Sequence, residues 1–281
     1  MKLCRYGKPG YEKPGMIDDE GKLRDLSKIV DNLGPNEISP RGLKMLTRLK
    51  PESLPLVNGT PRYGVPYVGI GKFVAIGLNY SDHAKEAGLP IPPEPIVFMK
   101  ATTCISGPND DVIQPKNSTK LDWEVELGVV LGTTARYVDE ESALNYVAGY
   151  CIVNDVSERS FQMATTQWDK GKGFDTAGPI GPWLVTTDEI RDPQTLDMAL
   201  EVNGKRMQSG NTRTMVFNVS KLISHVSQYM TLLPGDIIAT GTPPGVGLGM
   251  KPPVFLKSGD VMRLTIAGLG EQKQRVVAYS A

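Results

Sequence analysis

The alternation of apolar and polar residues predicts a chain built mainly from β-strands. Between residues 121 and 127 every second residue is acidic and the others are apolar, and an unbroken apolar run follows at residues 129–131. A period of two is typical of a strand. Shorter apolar runs at residues 73–78, 95–100 and 150–153 predict further strands. We therefore expect strands to supply most of the core.

Turn and helix signals place the elements between and after these strands. The Asn-Gly pair at residues 203–204 predicts a β-hairpin within residues 196–217, and residues 260–280 predict two strands joined by another turn. Residues 219–230 have the pattern of an amphipathic helix, and Asp139 should cap a helix that ends near residue 147. The pattern predicts a β-rich α+β fold in which helices connect strands.

A proline-rich stretch divides the chain into two predicted domains. Residues 51–66 contain four prolines and no helical period, which is typical of an extended connector. We place the boundary at its end. Residues 1–68 form a small N-terminal α/β domain with its connector, and residues 69–281 form the β-rich domain.

Charge and composition exclude several classes of function. The 31 basic and 31 acidic residues balance, and no basic stripe indicates a nucleic-acid or membrane surface. No segment is apolar enough to be a signal peptide or a transmembrane span, so we expect a soluble cytoplasmic protein. The 3 cysteines are widely spaced and there are only 2 histidines, which argues against disulfides, thiolate zinc sites and multi-histidine sites. A metal in this chain would be held by oxygen, which favours Mg²⁺, Mn²⁺ or Ca²⁺.

The acidic residues of the alternating segment are candidate metal ligands. Glu124 and Glu126 project to the same side of a strand, about 6–7 Å apart along the chain. Two carboxylates beside a core repel each other, and a divalent cation would neutralise them. Asp155, at the end of the apolar run at residues 150–153, could be a third ligand. The alternatives are a solvated outer face for the glutamates and a turn or helix cap for the aspartate.

A short helix after residue 80 carries a candidate general base. His83 and Glu86 are three residues apart, so in a helix they share a face and can touch. A carboxylate beside an imidazole raises its basicity and fixes its tautomer. A helix of about two turns is marginal alone, which would suit a lid over a substrate. The alternative is a histidine exposed on the surface.

Two further segments carry candidate substrate-binding groups. Arg159 and Gln162 lie on one face of the segment after Asp155 if it is helical. Lys172 lies in a glycine-rich stretch, which can bring a lysine and backbone N–H groups close to an anion. Lysines in loops are also commonly solvated, and the spacing is not that of a Walker loop.

Five ordered segments together resemble the fumarylacetoacetate hydrolase family. The resemblance covers about residues 70–281, and the order of five motifs makes it far more specific than any one of them. The short N-terminal unit is similar to that of the bacterial diketo-acid hydrolases of the family. The segments are NYSDHAKEAG, WEVELGVV, VNDVSERSFQ, KGFDTAGPIGP and TGTPPGVG.

The resemblance implies a mixed β-roll catalytic domain, a homodimer and a Mg²⁺ or Mn²⁺ site. It also implies a role for each matching residue. Asp82 matches a position where the family offers an additional acidic ligand. The implied metal ligands are Glu124, Glu126 and Asp155, the catalytic residues His83, Glu86 and Lys172, and the substrate-binding residues Arg159, Gln162 and Thr242.

The implied activity is metal-dependent hydrolysis of a carbon–carbon bond in a 2,4-diketo acid, with release of pyruvate. The substrate would be a diketo-deoxy sugar acid or an acylpyruvate. The same site could serve an oxaloacetate decarboxylase, a hydroxy-dienedioate isomerase or a ureidoglycolate lyase, and the sequence does not choose among them. A non-catalytic alternative is a Ca²⁺-stabilised binding module, in which the carboxylates are structural, or a plain oligomeric scaffold.

Overall fold

The computed structural model describes residues 1–280, in which three β-sheets and five α-helices are joined by short 3₁₀ turns. The helices are α1 (Pro40–Leu46), α2 (Ser81–Ala87), α3 (Arg159–Gln162), α4 (Asp169–Lys172) and α5 (Val219–Tyr229). The first strands are β1 (Lys2–Tyr6), β2 (Lys13–Ile17), β3 (Leu23–Asp25), β4 (Phe73–Gly77), β5 (Ile96–Lys100), β6 (Ile105–Ser106), β7 (Val112–Gln114), β8 (Leu121–Asp122) and β9 (Val125–Leu131). The later strands are β10 (Val147–Asn154), β11 (Ser157–Glu158), β12 (Gly178–Thr186), β13 (Asp197–Val202), β14 (Lys205–Asn211), β15 (Ile237–Ala239), β16 (Val261–Ile266) and β17 (Gly270–Ala278).

The largest sheet runs in the order β3-β2-β1-β12-β10-β9-β15-β4-β5, with β6 beside β12. A second sheet has the order β14-β13-β16-β17-β7, and β8 and β11 form a two-stranded ribbon. The largest sheet is mixed, because β15 is parallel to β4 and antiparallel to β9. These sheets confirm the predicted β-rich α+β class.

The core lies around β9 and β10, whose residues are buried along their full length. A strand covered on both faces has a continuous apolar sequence, which explains the unbroken run at the end of β9. The second sheet covers one face through β13 and β16. Helix α5 buries an apolar stripe that includes Leu222 and Val226, as its amphipathic pattern predicts. The hairpin of β13 and β14 turns at Asn203 and Gly204, both with positive φ, which also agrees with the prediction.

Two predicted elements differ from the observed ones. The predicted strand through residues 121–131 is interrupted, since Trp123 and Glu124 lie between β8 and β9. The backbone N–H of Trp123 donates to the carboxylate of Asp122 at 2.8 Å, so it does not extend the ladder. The helix predicted after Asp139 is a 3₁₀ helix, Glu140–Tyr146. A 3₁₀ helix rises more per residue than an α-helix, which suits a segment that leads directly into β10.

The N-terminal strands extend the largest sheet through the pairing of β1 with β12. Arg5 and Arg62 both donate to Glu12, at 3.2 and 2.9 Å, and fasten the proline-rich connector to this unit. Burial alone would raise the pKa of Glu12, but the two guanidinium groups outweigh it and hold that pKa below its usual value. The division into two domains at residue 68 stays a prediction. Within residues 1–280, no helix has the length and apolar character to span a membrane.

Candidate active site

Three buried carboxylates meet where β9 begins and β10 ends. Oxygen atoms of Glu124, Glu126 and Asp155, one from each, lie within 4.8 Å of one another, and all three residues are buried. The sheet register explains the meeting, because Val125 pairs with Asn154 and the N–H of Asp155 donates to the carbonyl of Glu124 at 2.9 Å. Residues 29 and 31 positions apart in sequence thereby become neighbours.

Three buried cations surround these carboxylates. Lys172 Nζ lies 2.6 Å from Glu124 Oε2 and 2.7 Å from Asp155 Oδ2. Arg159 donates from Nη2 to Glu124 Oε1 at 2.6 Å and from Nε to Asp122 Oδ2 at 2.8 Å. The third cation is Lys100, whose Nζ donates to Asp155 Oδ1. With Asp122 and Glu126 included, four carboxylates face three cations.

The pKa values of the two glutamates move in opposite directions. Burial alone would raise the pKa of Glu124, but the charges of Arg159 and Lys172 outweigh it and hold that pKa well below its usual value. Burial raises the pKa of Glu126 far above its usual value, and the neighbouring Asp155 and Glu124 raise it further. Glu124 is therefore ionised at neutral pH, whereas a negative charge on Glu126 is compensated only in part, by the charge of Lys172 and the N–H of Gly241.

The carboxylate triad fits a divalent cation. Among the described residues 1–280, the one hydrogen bond donor to Glu126 is the N–H of Gly241, at 2.8 Å, and no cationic side chain forms an ion pair with it. A buried carboxylate with so little compensation is costly unless a cation neutralises it. The three side chains offer oxygen atoms alone, the donors that Mg²⁺, Mn²⁺ and Ca²⁺ prefer.

His83 and Glu86 form a pair on α2. The two atoms His83 Nδ1 and Glu86 Oε2 lie 3.0 Å apart, as the i,i+3 spacing predicts. The N–H of Gly245 donates to both oxygens of Glu86, at 2.9 and 3.1 Å, and fixes the carboxylate from the opposite side. Because Nδ1 is engaged, Nε2 is the ring atom free to exchange a proton in the site. The adjacent Asp82 instead accepts from the Thr214 hydroxyl at 3.2 Å and does not join the carboxylate triad.

A cavity of about 80 Å³ brings most of the predicted site residues together. We call it the inner cavity. Glu86 lies behind His83 and lines an adjoining cavity instead. The Thr242 hydroxyl donates to the carbonyl of Val125 at 2.9 Å, so its oxygen is fixed in the wall. The predicted residues that line the inner cavity are His83, Glu124, Glu126, Asp155, Arg159, Gln162, Lys172 and Thr242.

Two residues of the site, Lys100 and Trp168, were not predicted from the sequence. Lys100 is 1% exposed and donates to Asp155 Oδ1 and to the carbonyl of Lys172. A lysine at the end of the apolar strand β5 is the signal that could have indicated it. Trp168 lies in the wall of the inner cavity against Phe98, with ring centroids 5.3 Å apart. Gly77 permits this position, since a Cβ there would lie 2.5 Å from the indole ring.

Comparison with known proteins identifies the family. The sequence profile of the fumarylacetoacetate (FAA) hydrolase C-terminal family matches residues 72–277. The chain belongs to the fumarylacetoacetate hydrolase family. A curated relative from Burkholderia multivorans is 62% identical over 276 residues, which cover 98% of each chain, and its name assigns it provisionally to the hydrolases without a substrate.

Solved structures of the family share the complete fold. The fumarylacetoacetate hydrolase of Exiguobacterium antarcticum is 36% identical, with a TM-score of 0.89 and coverage of 99% of this chain and 100% of the other. Maleylpyruvate hydrolase from Sphingobium sp. SYK-6, solved with manganese(II) and pyruvate, is 30% identical, with a TM-score of 0.84 and full coverage of both chains. Other similar structures are named as 2-hydroxyhepta-2,4-diene-1,7-dioate isomerases. The chain is therefore a metal-dependent enzyme of the hydrolase or isomerase type.

Proposed function

We propose that this enzyme hydrolyses a carbon–carbon bond in a 2,4-diketo acid and releases pyruvate, with Mg²⁺ or Mn²⁺ held by Glu124, Glu126 and Asp155. The observation that carries the proposal is the joint position of the carboxylate triad and His83 in one cavity. The similar maleylpyruvate hydrolase, which was solved with manganese(II) and pyruvate, supports both the metal and the product.

Arg159, Lys172 and Gln162 would bind the 2-oxo acid end of the substrate. The two cations line the inner cavity and supply the positive charge that a substrate carboxylate needs. Arg159 Nη1 donates to the side-chain oxygen of Gln162 at 3.0 Å, so the two side chains hold each other in a fixed orientation. Fixed groups of this kind orient the substrate without a further loss of entropy.

His83 would act as the general base. It would accept a proton from a water molecule, and the Glu86 side chain, which contacts His83 Nδ1, would stabilise the imidazolium formed. The resulting hydroxide adds to the C4 carbonyl, and the C3–C4 bond breaks with its electron pair moving to C3. The pyruvate enolate then takes a proton at C3, so one water yields pyruvate and a carboxylic acid. A bound divalent cation would supply Lewis-acid stabilisation of the negative charge that develops on the pyruvate oxygens.

The second candidate function is isomerisation of a hydroxy-dienedioate. The similar structures that are named as isomerases favour it. It would use the same base to move a proton between carbon atoms, but it would consume no water and release no pyruvate. Product analysis therefore separates the two reactions.

The test is a coupled pyruvate-release assay on purified protein with an acylpyruvate, a diketo-deoxy sugar acid and a hydroxy-dienedioate. We expect release from a diketo acid with Mg²⁺ or Mn²⁺ and none after chelation with EDTA. Glu126→Gln should abolish the metal response, whereas Glu140→Gln, on the exposed 3₁₀ helix, should retain it. Absence of pyruvate with every diketo acid would contradict the proposal. Two sequence predictions, a homodimer and a cytoplasmic location, remain proposals, and sedimentation velocity tests the first.

A further inference from the structure

A second cavity of about 520 Å³ adjoins the inner cavity on its outer side. We call it the outer chamber. Five residues line both spaces, so the two spaces border each other. A substrate whose 2-oxo acid end lies beside the triad would therefore extend its other end into the outer chamber. The shared residues are Leu78, His83, Arg159, Gln162 and Trp168.

The walls that belong to the outer chamber alone are mostly apolar. Leu89, Met163 and Leu248 are 49%, 66% and 36% exposed, although each comes from a different segment of the chain. Large apolar side chains left exposed around one concave surface mark a ligand groove. The remaining apolar side chains of this wall are Ala87, Val246 and Met250.

The charges of the outer chamber are poorly suited to an anionic group. Arg159 is bound by Asp122 and Glu124, and the proposed function assigns it to the carboxylate at the 2-oxo acid end of the substrate, so it does not serve a second carboxylate. Lys251 is exposed at the rim, and Glu86 adds a negative charge to the wall. A distal carboxylate would thus lose water without gaining a buried cationic partner.

We propose that the outer chamber binds an apolar acyl group, so that the preferred substrates are acylpyruvates with an alkyl or aromatic acyl part. This inference rests on the proposed hydrolase function for the reaction but on the chamber alone for the binding preference. Each methylene buried there should improve affinity about two- to fourfold, with fourfold the limit for complete burial. A terminal carboxylate should cancel that gain.

The experiment measures binding of 2-oxo acids that lack a 4-oxo group and so are not cleaved. Isothermal titration calorimetry of the Mg²⁺-loaded enzyme would compare pyruvate, 2-oxobutanoate, 2-oxohexanoate, 2-oxooctanoate and 2-oxoadipate. Leu248→Ser should reduce the gain per methylene. Leu144→Ser is the matched control, because Leu144 is 42% exposed on the 3₁₀ helix Glu140–Tyr146, outside the chamber.

We expect affinity to rise steadily with chain length and 2-oxoadipate to bind more weakly than 2-oxohexanoate. Equal affinities along the series, or tighter binding of 2-oxoadipate, would overturn the inference. Rising affinities without pyruvate release from any acylpyruvate would support the chamber and reject the hydrolase function. If Leu248→Ser leaves the binding series unchanged but alters sedimentation, the surface belongs to a contact with a second copy of the chain, and the inference fails.

Discussion

Replacement of Lys100 by methionine tests whether the charges behind the carboxylate triad hold the site together. The ammonium group is fully enclosed, and it bonds Asp155 Oδ1 and the carbonyl of Lys172. Methionine has a similar length and no charge, so Lys100→Met removes both bonds without opening a large cavity. Asp155 would then keep Lys172 as its remaining ion-pair partner.

The expected loss in the free energy of unfolding follows from the burial of both Lys100 and Asp155. Removing one partner of a buried ion pair typically costs about 3–5 kcal/mol, because the other charge remains without compensation. The retained contact of Asp155 with Lys172 places this case near the lower end, at about 3 kcal/mol. For a chain of this size each kcal/mol lowers the melting temperature by about 2–4 °C, so the total loss should be roughly 6–12 °C.

Thermal unfolding followed by circular dichroism, in EDTA, measures this loss. The matched control is Lys221→Met, since Lys221 is 47% exposed on α5 and its ion pair with Glu140 spans 3.7 Å. A surface change of this kind should alter stability by less than about 0.5 kcal/mol. If Lys100→Met melts within about 2 °C of the control, the ion pair does not support the site in the way we describe.

Three other changes have expected outcomes. Gly77→Ala should push the Trp168 ring out of the cavity wall and raise KM about tenfold or more with little change in melting temperature, measured by pyruvate release. Glu86→Gln keeps a hydrogen bond to His83 but removes the charge that stabilises the imidazolium, so kcat should fall about 10–100-fold at nearly constant KM. The pKa of Glu12 is depressed in the fold, so its charge stabilises the protein above the pKa of the unfolded chain, and this contribution is lost as the pH falls through the folded pKa. Glu12→Gln should therefore lower the free energy of unfolding by about 2–3 kcal/mol at pH 7 and by progressively less in acid. Urea unfolding measures this loss, and a loss that is the same at every pH would contradict the prediction.

The sequence predicted the elements whose signals are local. The Ser81–Ala87 helix ends at Gly88, which has the positive φ that a glycine permits, and His83 and Glu86 touch because of their spacing alone. The hairpin turn at Asn203 and the stripe of α5 follow from equally short patterns. These features depend only on residues that are close together in sequence.

Sequence patterns alone could not predict the contacts between distant segments. Lys100 and Asp155 are 55 residues apart, and β5 and β10 are not neighbours in the sheet, so their ion pair depends on the tertiary packing of the whole domain. The interruption of the predicted strand at Glu124 also depends on distant segments, since β8 pairs with β11 whereas β9 pairs with β10. The outer chamber also combines three separate segments, so no local period could reveal it.

The most direct test of the central claim is metal-dependent pyruvate release from a diketo acid by the wild type, His83→Ala and His225→Ala. The two histidines make a matched pair, because His83 lines the inner cavity and His225 lies on α5 against Tyr229. We predict turnover with Mg²⁺ or Mn²⁺, a loss of about 10²–10⁴-fold in kcat for His83→Ala, and an unchanged rate for His225→Ala. Full activity of His83→Ala, or release that persists in EDTA, would contradict the account.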